Sequence, residues 1–163
     1  MFLERKLRKA DRVRKRRTRV RIDEMGQLNG IRNVAGWPGT WFHRRLSVRG
    51  LGPVCQVAYR RTARVTTTEV GTIRVTADRD IRVWPTRELG FVDGPGSLIG
   101  ESKVLVELKF PVTMPALFEQ LIEDFKLEPA PVSEFRLGIN ELYGLETPAP
   151  GNPGTGNRGE TDA

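Results

Sequence analysis

Charged and apolar side chains alternate along several short segments of this chain, and this alternation constrains its fold more than any other feature. Residues two apart share one face of a β-strand. In residues 103–110, apolar residues occupy every second position, and Glu107 and Lys109 lie between them. Residues 2–8 and 71–84 show related patterns. The pattern predicts antiparallel strands with one apolar face and one charged face.

The segment at residues 71–84 illustrates the predicted division into faces. Regular alternation throughout places apolar residues on one face: Ile73, Val75, Ala77, Ile81 and Val83. It places mostly polar and charged residues on the other: Thr72, Arg74, Thr76, Asp78, Asp80 and Arg82. We therefore expect an apolar inner side and a charged opposite side along the whole strand.

Two helices are predicted after the strands. Apolar residues recur at helical spacing in residues 114–126, with Thr113 as the expected N-cap and Pro115 in the first turn. Residues 133–143 predict a second short helix, and residues 85–101 predict a glycine-rich loop. The fold class is therefore predicted to be α+β, with antiparallel strands followed by C-terminal helices.

Positive charge is concentrated in the first half of the 163-residue chain. The net charge is +7, and residues 1–21 alone hold eleven Lys or Arg against two acidic residues. Such a distribution attracts polyanions, without specifying which one. The excess of arginine over lysine fits bidentate phosphate binding, and it fits codon bias in a GC-rich genome equally well.

Several classes of protein are excluded or disfavoured by composition. No apolar run approaches the ~18–20 residues of a membrane-spanning helix, and the basic N-terminus lacks the apolar core of a signal peptide, so we expect a cytoplasmic protein. One cysteine and one histidine exclude a disulfide scaffold and Cys- or His-rich metal centres. We expect Cys55 in the core, His43 in a packing or surface role, and Trp37 with Trp41 closing the core.

Mixed charge within single strands is the feature that suggests a function. Glu4-Arg5-Lys6 and Glu107-Leu108-Lys109 both place an acidic and a basic residue two apart, hence on one face. If such strands close into a barrel, the lumen carries both signs of charge. Basic groups there suit phosphate, and carboxylates suit a hard divalent cation that bridges phosphate oxygens.

The order of segments resembles the polyphosphate polymerase domain of the vacuolar transporter chaperone (VTC) family, within the CYTH/triphosphate tunnel superfamily. The resemblance extends over residues 1–143 and rests on short motifs in a particular order. These motifs are Phe2-Leu3-Glu4-Arg5-Lys6, Lys15-Arg16-Arg17, Val57-Ala58-Tyr59-Arg60-Arg61-Thr62-Ala63, Ile73-Arg74-Val75-Thr76-Ala77-Asp78, Val104-Leu105-Val106-Glu107-Leu108-Lys109-Phe110 and Ser133-Glu134-Phe135.

The resemblance implies an antiparallel β-tunnel that binds polyphosphate or ATP and, in active relatives, transfers the γ-phosphoryl group of ATP to a growing chain. It implies phosphate contacts by Lys6, Arg8, Lys15, Arg17, Arg61, Arg74 and Lys109. Among these, Lys109, Arg61 and Arg74 are the implied catalytic residues, acting by positioning and charge neutralisation. Glu107 is the implied ligand of Mn²⁺ or Mg²⁺, with Glu4 as a second candidate that a neighbouring arginine competes for.

Two departures from the family pattern shape the expectations. The family's opening strands normally precede the Phe2-Leu3-Glu4 strand, so we expect an incomplete tunnel domain over residues 1–146 and a disordered tail over residues 147–163. The alternatives that stay open are a fragment, a misplaced start, a split protein whose missing strands a partner chain supplies, and a degenerate relative. The family's Ser-Lys-Tyr motif is Ser133-Glu134-Phe135 here, which replaces a phosphate-facing lysine with a carboxylate. That replacement weighs against catalysis.

Two alternatives remain open beside a metal-dependent polyphosphate polymerase. The first alternative is a non-catalytic basic β-domain that binds RNA or DNA. The second is an inactive relative that only binds polyphosphate. The carboxylate of Glu107 among basic residues favours a metal–phosphate site over a nucleic-acid surface, because it weakens the attraction for a long polyanion.

Overall fold

The computed structural model describes residues 1–9, 12–30, 34–101, 103–130 and 132–145, and for residues 8, 9 and 12 it describes the backbone only. The chain divides into two compact units. Unit 1 comprises Met1–Gln56 and Pro85–Asp93, and unit 2 comprises Val57–Trp84 and the described residues from Gly94 onwards. The predicted tail over residues 147–163 lies outside the described residues.

Unit 1 begins with an antiparallel hairpin of β1 (Phe2–Lys9) and β2 (Arg12–Arg19). The strand predicted at residues 2–8 is confirmed as β1. A 3-10 helix (Met25–Asn29) and helix α1 (Thr40–Arg49) follow. Helix α1 ends at Gly50, whose φ of 57° is the left-handed conformation that favours glycine after a helix.

The core of unit 1 lies on one side of this hairpin. Leu3 and Val20 are buried together with Leu28 and Trp37, and partly buried apolar residues of α1 and of the 85–93 segment pack against them. The burial of Trp37 confirms its predicted role in closing the core. Its indole Nε1 donates a hydrogen bond to Glu24 Oε2 at 3.1 Å, which satisfies the one polar atom of the buried ring.

Four antiparallel strands form the sheet of unit 2, into which the first strand enters from unit 1. They are β3 (Cys55–Thr68), β4 (Gly71–Pro85), β5 (Ser97–Leu98) and β6 (Leu105–Lys109). Strand β4 pairs with all three others, because its length lets β6 pair near its start and β5 near its end. The short strand β5 lies within the predicted loop 85–101, where its two residues carry no strand pattern.

Two helices follow the sheet, as predicted: α2 (Ala116–Asp124) and α3 (Glu134–Tyr143). The predicted N-cap of α2 at Thr113 is wrong. Pro115 occupies the cap position with an extended ψ of 147°, and its carbonyl accepts hydrogen bonds from the amides of Phe118 and Glu119. In α3, Ser133 is the N-cap and its hydroxyl accepts from the amide of Arg136.

The predicted faces of β4 are wrong beyond Asp80. Asp80 has a φ of 53°, and the alternation of buried and exposed residues shifts by one position there. Asp78 and Val83 are five residues apart, yet both face α3: Asp78 shares Arg61 with Glu134, and a Cβ on Gly138 would come within 2.9 Å of Val83. The extra residue behaves as a β-bulge, which moves Ile81 and Val83 to the opposite face from Ile73.

The architecture is α+β with antiparallel sheets and C-terminal helices, as the sequence predicts. Over the described residues the strands form a two-stranded and a four-stranded sheet without closing into a barrel. Among these residues, no helix has both the length and the apolar character needed to cross a bilayer.

Candidate functional site

The charged face of the unit 2 sheet brings together predicted site residues from separate strands. In the register of β4 and β6, Arg74 lies opposite Lys109 and Thr76 lies opposite Glu107. Because residues two apart share a face, these four side chains lie on one side of the sheet. The structure therefore places three residues that the family resemblance implicates within one cross-strand cluster.

Glu107 is the centre of this cluster. One carboxylate oxygen lies 3.0 Å from Lys109 Nζ, and the other lies 3.7 Å from Arg74 Nη2. Both cationic side chains are half-exposed, at 39% for Arg74 and 52% for Lys109. Ion pairs this exposed are weak, so the two cations remain accessible to an anion from solvent.

Arg61 on β3 lies in a more tightly held arrangement. Its guanidinium donates two hydrogen bonds to Asp78, at 2.6 and 2.5 Å, and a third to Glu134 Oε1 at 3.2 Å. The Asp78 side chain is almost fully buried, at 2% exposure. The paired hydrogen bonds from Arg61 lower the pKa of Asp78 and raise that of Arg61, so both groups stay charged.

Tyr59, Asp78 and Glu134 surround Arg61, and none of the three is among the phosphate or metal contacts predicted from the sequence. The guanidinium carbon of Arg61 lies 4.8 Å from the centre of the Tyr59 ring, a cation–π contact. Burial raises the pKa of the Tyr59 hydroxyl above its ordinary value. The sequence offered one signal for Tyr59 and Asp78, which is their spacing. Tyr59 is two residues from Arg61 and Asp78 is four residues from Arg74, and such spacings place residues on one face of a strand.

The hairpin of unit 1 carries the remaining predicted phosphate contacts. Glu4 pairs with Arg17 and Lys6 with Lys15 in the register of β1 and β2, which puts these four on one face. Arg8 lies on the same face by alternation, but its side chain is outside the described part of the structure. Lys6, Lys15 and Arg17 are exposed.

Glu4 is occupied by cations, as anticipated from its neighbours. Its Oε2 accepts a hydrogen bond from Arg17 Nε at 2.6 Å and lies 3.0 Å from Lys15 Nζ. The hydrogen bond from Lys15, and then that from Arg17, lowers the pKa of this carboxyl. A divalent ion at Glu4 would have to compete with both cations.

Glu107 and Glu4 are the two carboxylates predicted to hold a divalent metal. In the described residues, no three His, Cys, Asp or Glu side chains come together to enclose a metal ion. Glu107 nevertheless suits a Mg²⁺ or Mn²⁺ that arrives with its phosphate, because such ions commonly use one or two carboxylates and complete their shell with phosphate and water oxygens. Glu107 and Glu4 both stay predicted metal ligands, and each is engaged by two cations.

The other singled-out residues have structural roles. Cys55 is a half-buried free thiol whose pKa is raised by burial, the opposite of an activated nucleophile. His43 is buried, with Nε2 2.6 Å from the carbonyl oxygen of Gly30, which confirms a packing role. Trp41 is half-buried; its Nε1 donates to Thr18 Oγ1 at 2.8 Å.

Comparison with known proteins identifies the family of this chain. No curated protein and no solved structure matches the chain. The family profile described as the VTC domain matches residues 1–143, which include both the hairpin and the sheet cluster. The match covers most of the chain, and this family has a polyphosphate-related function. The chain is a member of the VTC domain family.

Proposed function

We propose that this chain binds a run of linked phosphate groups, as in inorganic polyphosphate or the triphosphate of a nucleotide, on the charged face of the unit 2 sheet. The observation that carries the proposal is the cross-strand pair of Arg74 and Lys109. The two cations lie opposite each other, are half-exposed, and share the single carboxylate of Glu107. Their charge therefore exceeds what Glu107 neutralises.

Unsatisfied polar atoms support a ligand at this face. Arg74 Nε and Thr76 Oγ1 are buried and have no hydrogen-bond partner in the described structure. Buried polar groups nearly always have a hydrogen-bond partner, so two unpartnered polar atoms on one face call for an explanation. Phosphate oxygens accept hydrogen bonds from both groups, which makes an oxyanion a suitable partner.

The surroundings of Arg61 favour binding over phosphoryl transfer. Transfer depends on positive charge arranged around the transferring group. Asp78 and Glu134 together offset the single charge of Arg61, and Glu134 stands where the family pattern has a lysine. We therefore place metal-dependent phosphoryl transfer by Lys109, Arg61 and Arg74 second to phosphate binding.

A divalent metal enters the proposal through Glu107. Mg²⁺ or Mn²⁺ bound by this carboxylate would neutralise phosphate charge and bridge phosphate oxygens. Lys6, Lys15 and Arg17 on the hairpin form a separate cationic set in unit 1. They remain predicted phosphate contacts, with Glu4 restraining Lys15 and Arg17.

The first test is a titration with tripolyphosphate in which calorimetry measures the binding affinity. We expect the double variant Arg74→Gln/Lys109→Gln to weaken binding by tenfold or more, because each lost charge-assisted hydrogen bond is worth about 1.5–3 kcal/mol. The matched control is Arg79→Gln/Lys103→Gln, which removes the same charge from exposed positions of unit 2, with Arg79 on the opposite face of β4. Equal losses in the two variants would reduce the effect to bulk charge and refute the site.

The role of Glu107 predicts effects of opposite sign with and without metal. Without metal, Glu107→Gln should tighten tripolyphosphate binding, because it removes a negative charge beside Arg74 and Lys109. With Mg²⁺ or Mn²⁺ present, the variant should lose the enhancement that the metal gives the wild type. Single-stranded RNA at matched ionic strength is the competing ligand, and a preference for RNA that metal leaves unchanged would favour the nucleic-acid alternative.

A further inference from the structure

A second cationic surface lies in unit 1, on the hairpin face opposite Glu4. Arg5 and Arg16 are direct cross-strand partners and therefore share this face. Helix α1 lies against β1 and adds Arg45 and Arg49. We call Arg5, Arg16, Arg45 and Arg49 the arginine patch. None of these four belongs to the phosphate contacts that the family resemblance implies.

The spacing in both elements explains how the patch forms. Trp41, Arg45 and Arg49 follow one another at intervals of four, so they line one face of α1. Trp41 anchors that face to the hairpin. The guanidinium of Arg16 lies 4.2 Å from the Trp41 ring centre, and Trp41 Nε1 is hydrogen-bonded to Thr18 on the same strand.

The patch lacks compensating negative charge. Within the described residues, no carboxylate forms an ion pair with any of its four arginines. Burial lowers the pKa of Arg45, and the charges of Arg49 and Arg5 lower it further. Arg5 Nε is buried without a hydrogen-bond partner in the described structure. Like charges held this close repel each other, and a bound anion would relieve that repulsion.

We propose that the arginine patch is a second binding site for linked phosphate groups, distinct from the sheet site of unit 2. Guanidinium groups bind phosphate oxygens through paired hydrogen bonds, so several on one surface suit a compact, highly charged phosphate chain. The hairpin then has one face with a neutralising carboxylate, Glu4. On its other face, Arg5 and Arg16 lie with Arg45 and Arg49 of α1, and none of the four forms an ion pair with a carboxylate among the described residues.

The aromatic residues at the patch favour a phosphate chain over nucleic acid. Single-stranded nucleic acids gain affinity by stacking bases on exposed rings. Trp41 is unsuited to this, because Arg16 covers one face of its ring and the Phe42 ring packs against it at right angles, with ring centres 5.4 Å apart. The patch offers positive charge and hydrogen-bond donors, so it suits phosphate groups and not bases.

The test uses the full chain carrying Arg74→Gln/Lys109→Gln, which weakens the sheet site and isolates the patch. Into this background we introduce Arg45→Gln/Arg49→Gln, and separately Arg16→Gln as a second variant on the other element. The matched control is Arg19→Gln/Arg87→Gln, two exposed arginines of unit 1 outside the patch. Tripolyphosphate affinity is measured at several salt concentrations, with circular dichroism as a check of folding.

We expect Arg45→Gln/Arg49→Gln to weaken the remaining binding about tenfold and to lower the dependence of log affinity on log salt by about one for each arginine removed. Arg16→Gln should weaken it in the same direction, whereas the control variant should change affinity less than twofold. Equal effects of patch and control variants would overturn the inference.

The two proposals fail in different ways. If Arg74→Gln/Lys109→Gln alone abolishes all tripolyphosphate binding, the patch is not a site and the sheet proposal stands. If that variant binds as the wild type does and only the patch variants lose affinity, the sheet proposal fails and the patch stands. Tighter binding of single-stranded RNA than of tripolyphosphate, lost on Arg45→Gln/Arg49→Gln, would overturn the ligand assignment.

Discussion

At the scale of single residues, Arg61 shows how a predicted phosphate contact acquires a structural role. Its guanidinium is held by Asp78 through two hydrogen bonds and by Glu134 through a third. Asp78 is almost fully buried, so its charge depends on this partner. A phosphate group that approaches Arg61 must compete with both carboxylates.

We predict that Asp78→Asn lowers the free energy of unfolding by about 2 kcal/mol. The loss stays below the ~3–5 kcal/mol of a fully buried ion pair, because Arg61 is one-third exposed and water can solvate it. The matched control is Asp80→Asn, whose partner Arg60 lies 3.5 Å away on the exposed surface and which should cost less than about 0.5 kcal/mol. Urea unfolding measures both, and equal costs would contradict the assigned role of Asp78.

At the scale of elements, strand β4 depends on its interruption at Asp80. The left-handed conformation there inserts one residue into the alternation. Asp78 and Val83 consequently face the same helix, α3, where Gly138 allows close approach. Without the interruption, β4 would turn either its charged cluster or its apolar second half away from that helix.

We predict that Asp80→Val destabilises the chain by about 1–2 kcal/mol, because a β-branched residue is strained at positive φ. Asp80→Gly should be nearly neutral, since glycine adopts this conformation without strain. Arg79→Val is the control in the same strand, at an exposed position. Urea unfolding of the three variants decides the matter: if Asp80→Val and Arg79→Val have equal costs, backbone conformation is not what position 80 requires.

At the scale of the whole molecule, the net charge of +7 is sorted into distinct surfaces. The sheet cluster and one hairpin face mix both signs, whereas the arginine patch is cationic. Arg21 forms a further surface ion pair with Asp23. Hydrogen bonds from basic partners lower the pKa of Asp78, Glu4 and Asp23 below their ordinary values.

Acid stability follows from these shifts. A carboxyl group whose pKa is lower in the folded state contributes stability above its unfolded pKa and loses it as the pH falls through the folded value. With ordinary values of 3.8 for Asp78 and 4.5 for Glu4, the urea midpoint should hold down to about pH 5 and fall below about pH 4. The fall should be smaller in Asp78→Asn. An equal fall in variant and wild type would show that Asp78 does not drive it.

Sequence periodicity was sufficient for most elements and for one part of the site. It predicted β1, β4, β6, α3 and the shared face of Glu107 and Lys109, because these depend on local spacing. It failed at Thr113, where Pro115 delays the start of α2, and at the short strand β5. Both outcomes depend on backbone geometry and strand pairing that residue types alone do not express.

The sequence by itself determined the α+β class, the charged faces of β1 and β6 and membership of the VTC domain family, because alternation and motif order are properties of neighbouring residues. Only the tertiary structure decided which charges meet. Asp78 and Glu134 lie 56 residues apart yet share Arg61, and Arg5 and Arg45 come from different elements. The bulge at Asp80 and the packing of helices on strands create these contacts. Charge compensation depends on distance in space. These contacts therefore separate the basic residues that pair with a carboxylate, such as Arg61, from those such as Arg5 and Arg45 that form no such ion pair among the described residues.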